Sequence, residues 1–215
     1  MTLRPPAAER VLIPGPAGAI ETLVEAPAQV RGIALVCHPH PLFGGTAENK
    51  VAQTLAKTLR ELGYATLRPN FRGVGASEGG HDEGEGETED MLAALEWARR
   101  RFGDLPVALA GFSFGAYVQT KVAARLAEAN RPAQRMVLVG TAAGFVTGAR
   151  HYETGAVPHD TIVIHGDRDE TVPLANVLAW AQPLELPVTL VPGADHFFHR
   201  KLHLLRRIIE AQWKH

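Results

Sequence analysis

The chain has 215 residues, 46% hydrophobic and 21% charged, a length and balance that one α/β domain spanning residues 1–215 fills without a second core. Lys and Arg number 22 against 23 Asp and Glu, so no positive field gathers phosphates, and neither nucleic acid nor an anionic membrane is expected as a partner. The single cysteine, Cys37, closes no internal disulfide; with no secretion signal in "MTLRPPAAER" and no apolar run of about 18 residues, a cytoplasmic location is expected.

The first elements read as two short strands, "RVLIPG" and "AIETLVEAP", joined by a Gly/Pro turn into an antiparallel hairpin. A regular alternation follows. The apolar run "GIALVCH" (32–38) precedes a helix from about Glu48 to Leu62, where Val51, Leu55, Leu59 and Leu62 share a face and Gly63 ends the helix. "YATLRPN" (64–70) is the next strand, followed by a long loop and a helix carrying Met91, Leu92, Leu95 and Ala98.

"PVALAG" (106–111) leads directly into a helix beginning near "FSFG", and "RMVLVG" (135–140), "TIVIHG" (161–166) and "VTLVPG" (188–193) are further unbroken apolar runs. Helical segments are expected near 173–181 and 198–213. Short uninterrupted apolar strands alternating with helices predict a mostly parallel sheet covered on both faces. Functional groups of such sheets collect in loops at the strands' carboxyl ends. The acidic stretch "HDEGEGETED" (81–90) lacks the ligand alternation of an EF-hand and reads as a solvated loop whose acids favour the next helix N-terminus.

Only two serines occur, Ser77 in "GASEG" and Ser113 in "GFSFG", and both match G-x-S-x-G. Context separates them. A nucleophilic serine needs a sharp turn between strand and helix so that Oγ projects above the sheet; Ser113 has that setting, whereas Ser77 sits in a Gly-rich loop. The following helix would aim its first N–H groups, Phe114 nearest, at developing negative charge.

Such a hydroxyl needs a base held by a carboxylate, and two downstream loops provide candidates. "HGDRDETVP" contains Asp167, Asp169 and Glu170; Asp169 is favoured because Gly166 to Arg168 turn the chain back across the strand ends, while Asp167 is suited to bracing that turn. "GADHFFH" contains His196 in the loop before the last helix, with His199 and His203 expected inside that helix.

The motifs "GFSFG", "HGDRDETVP", "GADHFF" and "NFRGVGASEGG" together resemble the α/β-hydrolase fold, and "HPHPLFGGTAENK" resembles a group of small bacterial serine hydrolases lacking a cap domain. The resemblance covers the chain from about Arg31 to the last helix and implies a central sheet of about eight strands, no cofactor, and Ser113, Asp169 and His196 as nucleophile, acid and base. In that fold the loop after the third strand supplies a second oxyanion donor. Proline has no N–H, so within residues 39–42 only His40 and Leu42 could donate; the resemblance places the donor at His40.

The expected activity is cleavage of a small-molecule ester or thioester. A peptidase or amidase of the same fold, a metal hydrolase built on His38 and His40 with His81, Asp82 or His165, and a non-catalytic binding protein are the alternatives. The twenty residues "TAAGFVTGARHYETGAVPHD" are too few for a lid domain, so an open, shallow site is expected, walled by Leu42, Phe43, Phe145, Tyr152 and Phe197. Cys37, Arg72 and Asn70 read as structural.

Overall fold

The computed structural model describes residues 8–148 and 150–213; the Pro-rich segment before residue 8 lies outside them. Strands β1 (Glu9–Gly15) and β2 (Gly18–Glu25) form the expected antiparallel hairpin at one edge of an eight-stranded sheet. Next come β3 (Gly32–Cys37), α1 (Lys50–Glu61), β4 (Tyr64–Pro69), α2 (Glu85–Phe102), β5 (Val107–Phe112), α3 (Phe114–Glu128) and β6 (Arg135–Val139). A small separate hairpin, β7 (Gly144–Val146) with β8 (Arg150–Tyr152), is followed by β9 (Ile162–Gly166), α4 (Leu174–Ala181), β10 (Val188–Val191) and α5 (Leu202–Gln212).

The large sheet runs β1-β2-β4-β3-β5-β6-β9-β10. β2 meets β4 antiparallel, and every pairing from β4 onward is parallel. Alternate side chains of one strand feed two cores, which is why the strands read as unbroken apolar runs. Ile33, Leu35, Leu109, Met136, Leu138 and Val163 pack with α2 and α3 residues such as Met91, Leu95, Val118 and Val122. Ala34, Val36, Ala108, Ala110, Val137, Val139, Ile162 and Ile164 face the other way, onto Val51, Leu55 and Leu59 of α1 and Leu205 and Ile209 of α5.

Local chemistry sets the ends of α1. Asn49 Oδ1 accepts from the Val51 and Ala52 N–H groups, capping the helix start. Gly63, at φ +99°, then lets the chain leave in a conformation that a side chain would strain.

The 141–160 stretch carries the β7–β8 hairpin, whose three-residue strands are too short to show a period. Two expectations need correction. The last helix begins at Leu202, not near residue 198, because Phe198 (φ 53°) and Arg200 (φ 60°) adopt left-handed backbone while Phe198 is fully buried in the core. His199 therefore lies in the turn before α5, exposed, with its Nδ1 2.6 Å from Asp195 Oδ2.

Candidate active site

Ser113 stands between β5 and α3 at φ 57° and ψ −120°, a backbone conformation that a non-glycine residue adopts only when its surroundings impose it. The flanking glycines show how they do so. A Cβ on Gly115 would lie 2.4 Å from the His38 carbonyl oxygen and 2.5 Å from that of Cys37; one on Gly111 would lie 2.4 Å from the Gly115 carbonyl oxygen. These are backbone atoms and cannot swing aside, so only glycine lets the turn press against the end of β3. The Ser113 N–H donates to Val139 O at 2.9 Å, and its carbonyl accepts from Ala116, Tyr117 and Ala142, which ties the turn to both neighbouring elements.

The loop after β10 brings His196 to this serine, with His196 Nε2 3.0 Å from Ser113 Oγ. On the other side of the ring, Nδ1 lies 2.6 Å from Asp169 Oδ2. A carboxylate oxygen accepts, so Nδ1 carries the proton and Nε2 is left to accept from the serine hydroxyl. Asp169 is itself anchored, because Oδ1 accepts from the Thr171 and Val172 N–H groups at 2.9 and 2.8 Å. All three side chains are at least nine-tenths covered.

The neighbouring acids do other work. Asp167 Oδ1 accepts from the Gly193 N–H at 2.5 Å, bracing the loops after β9 and β10 against each other. Glu170 is exposed. His165, fully buried at the end of β9, donates from Nε2 to Val172 O at 3.1 Å and lies 3.7 Å from Asp169 Oδ2; burial lowers its pKa.

In "HPHPLFGG" the histidines fix the loop. His38 is fully buried, with Nδ1 donating to Pro39 O at 2.7 Å and Nε2 accepting from the Phe71 N–H at 2.9 Å, so it ties β3 to the segment after β4. Both ring nitrogens are committed to backbone, which leaves none to ligate a metal. Burial pushes the pKa of His38 down to about 4. His40 Nδ1 accepts from the Leu42 N–H at 3.3 Å, so of the two backbone donors the prolines leave, that of Leu42 is taken. The His40 N–H donates to no acceptor among the described residues. Phe114 opens α3, where an N–H has no preceding helical carbonyl, and its ring stands 4.8 Å from that of His40.

The other serine is structural. Ser77 Oγ donates to Asn70 O at 2.8 Å and accepts from the Glu21 N–H at 2.9 Å, locking the Gly-rich loop onto β2. Asn70 bridges Ala47 N and Glu21 Oε2, and Arg72 forms a two-pronged pair with Asp90 at 2.8 Å. The acidic loop departs from the expected solvated one: Glu87 is fully buried, accepting from the Gly84 and Asp82 N–H groups and from His81 Nδ1.

A cavity of about 360 Å³ is lined chiefly by His40, His81, Phe114, Tyr117, Arg150 and Tyr152, and Phe114 is the residue that follows Ser113. Of the expected wall residues only Tyr152 lines it. Leu42, Phe43 and Phe145 stand about two-thirds exposed, and Phe197 lines a second depression with His196, Arg168 and Glu170. Tyr117 and Arg150 escaped the sequence reading because nothing in their local pattern distinguishes them from surface residues, and His81, considered there as a metal ligand, instead lines this cavity with its Nδ1 2.8 Å from Glu87 Oε1.

A family model described as the alpha/beta hydrolase fold matches residues 34–154. A solved structure from Xanthomonas campestris, described as an a/b serine hydrolase without lid, is 38% identical with a TM-score of 0.84, covering 99% of this chain and 96% of that one. An uncharacterized protein of Rickettsia prowazekii is 35% identical over 87% of this chain and 81% of its own length. A lysophosphatidylserine lipase of Gallus gallus is 35% identical over 47% of this chain, a match that spans only 27% of that larger protein.

Proposed function

The chain belongs to the alpha/beta hydrolase fold family, and from that premise we propose that it is a serine hydrolase cleaving a carboxylic ester or thioester through an acyl-enzyme. The observation that carries this reading is the continuous chain from Ser113 Oγ through His196 to Asp169, with links of 3.0 and 2.6 Å. His196 Nε2 takes the Ser113 proton as Oγ attacks the substrate carbonyl. Asp169 holds the ring in the required tautomer and stabilises the imidazolium that forms. The Phe114 and His40 N–H groups receive the oxyanion, each worth about 3 kcal/mol in the transition state at comparable sites. His196 then gives its proton to the departing alcohol or thiol, and water, activated by the same ring, releases the acid and restores Ser113.

Esters and thioesters are favoured over amides because their leaving groups need less protonation, and the partial likeness to a lysophosphatidylserine lipase supports the same bond type. A fluorophosphonate probe tests the proposal. Ser113 is expected to be labelled, in the presence of chelator as in its absence, and Ser113→Ala to abolish both labelling and hydrolysis of 4-nitrophenyl esters. Hydrolysis that survives Ser113→Ala and disappears with chelator would sink the serine mechanism.

A further inference from the structure

The cavity lined by His40 and Phe114 is not a plain apolar slot. Arg150, on the first residue of β8, reaches it with its guanidinium held in place: Nη2 donates to Thr147 O at 2.7 Å, Nη1 lies 3.5 Å from the Tyr152 hydroxyl, and Cζ stands 4.1 Å from the centroid of the Phe43 ring. Its Nε is buried without a hydrogen-bond partner among the described residues. The other partly or fully buried arginines, Arg60, Arg68, Arg72, Arg99, Arg135 and Arg206, each pair with a carboxylate. Arg150 alone of that set has no acid partner among the described residues. A half-covered guanidinium in such a position is a ready receptor for an anion.

Other groups lining the cavity suit the same ligand. His40 Nδ1 accepts from the Leu42 N–H, so the proton of the neutral ring sits on Nε2, and Tyr152, whose hydroxyl lies 3.5 Å from Arg150 Nη1, carries a further O–H. One acid, Glu83, lines the cavity, and it is exposed to water. The space also has a defined role relative to the reacting bond. Both residues assigned as oxyanion donors, His40 and Phe114, line it, whereas Ser113 and His196 do not, so it opens on the oxyanion side of the reacting carbonyl. The leaving oxygen must lie against His196 to receive its proton, so the part of the substrate that enters this cavity is the acyl part.

Building on the serine-hydrolase reading, we propose that the cavity seats the acyl chain and that Arg150 binds a carboxylate at its far end. The favoured substrates are then esters or thioesters of short dicarboxylic acids with one acid group free. A single guanidinium with one rim acid nearby matches a monoanion, and a volume of about 360 Å³, at the small end for ligand cavities, matches a short chain.

The test compares 4-nitrophenyl monoesters of adipic and suberic acid with their methyl-capped neutral counterparts. Wild type is expected to favour the free acid in kcat/KM by about tenfold or more, as a charge-assisted contact supplies, mostly through KM, and to lose that preference as salt is raised. Arg150→Met is expected to bring the ratio to one or below, and Arg150→Lys to keep part of it. Because the readout is a ratio, a general loss from a disturbed hairpin cancels. Neutral esters turned over as fast as the acids by wild type, or a ratio unchanged in Arg150→Met, would overturn the subsite and leave the hydrolase standing. Failure of wild type to hydrolyse any of the esters, with Ser113 unlabelled by fluorophosphonate, would overturn both.

Discussion

Replacing Asp169 by Asn changes one atom and tests the proposed catalytic geometry more sharply than a truncation. The new amide has two orientations. With its oxygen toward Thr171 and Val172 it keeps the 2.9 and 2.8 Å bonds from their N–H groups and turns NH₂ toward His196. The flipped orientation points NH₂ at those two donors, losing both bonds at about 1–3 kcal/mol each; even the low end, about 2 kcal/mol together, holds it below roughly one molecule in thirty. The amide therefore donates where the carboxylate accepted at 2.6 Å. Nδ1 of His196 must then give up its proton, Nε2 takes it, and the ring can no longer accept from Ser113. Loss of the correct tautomer at an equivalent position elsewhere lowers kcat by about 10⁴, or roughly 5 kcal/mol. Steady-state hydrolysis of 4-nitrophenyl acetate should show a fall of three to four orders of magnitude in Asp169→Asn, with a far-UV spectrum like wild type. Asp167→Asn, whose Oδ1 still accepts from Gly193, should stay within a few-fold. Activity of Asp169→Asn within tenfold of wild type would refute the tautomer argument.

Ser77→Ala should separate the two G-x-S-x-G serines: it leaves the Glu21 N–H and Asn70 carbonyl without their buried partner, costing about 1–3 kcal/mol in urea unfolding, while fluorophosphonate labelling of Ser113 persists. Equal loss of labelling in Ser77→Ala and Ser113→Ala would contradict the assignment. His38 should make stability fall in mild acid. Its folded pKa of about 4 lies below the ordinary 6.5, so the unfolded chain takes up the proton first; the stabilisation is complete well above pH 6.5 and is lost as pH falls toward 4, about 2.5 kcal/mol by pH 4.5. Gln can offer an oxygen to the Phe71 N–H but does not titrate, so His38→Gln should unfold with a shallower dependence on pH between 6.5 and 4.5. Superimposable slopes would remove His38 as the cause.

Much of the site was readable because its residues sit at ends of strands that announce themselves. The inner parallel strands bury both faces, so an apolar run such as 161–166 marks its own carboxyl end, and Asp169 and His196 then follow within a few residues of β9 and of the edge strand β10. The same logic separated Ser113 from Ser77, since only one G-x-S-x-G begins where a strand stops. The choice of Asp169 over Asp167 needed the turn geometry, and the structure gives each a distinct partner: the imidazole for Asp169, the Gly193 N–H for Asp167.

What stayed hidden depends on packing between parts of the chain with no local signature. Residues 195–201 contain no helix breaker, yet the chain is forced into left-handed turns there because Phe198 is driven into the core while His196, two residues before it, must stand at Ser113. That conflict between burial and presentation is tertiary, and no helical period reveals it. The β7–β8 hairpin is a similar case. Its strands are three residues long, and it becomes meaningful only because Tyr152 packs its ring 5.0 Å from that of Tyr117 on α3 while Arg150 stacks on Phe43 of the "HPHPLFGG" loop. The stretch too short to be a lid thereby supplies one wall of the cavity that His40 and Phe114 also line. The chemistry proposed at Ser113 thus rests on residues placed at strand ends, whereas the proposed selectivity resides in this short excursion, where a change such as Arg150→Met is expected to alter the preferred acyl group without touching the sheet.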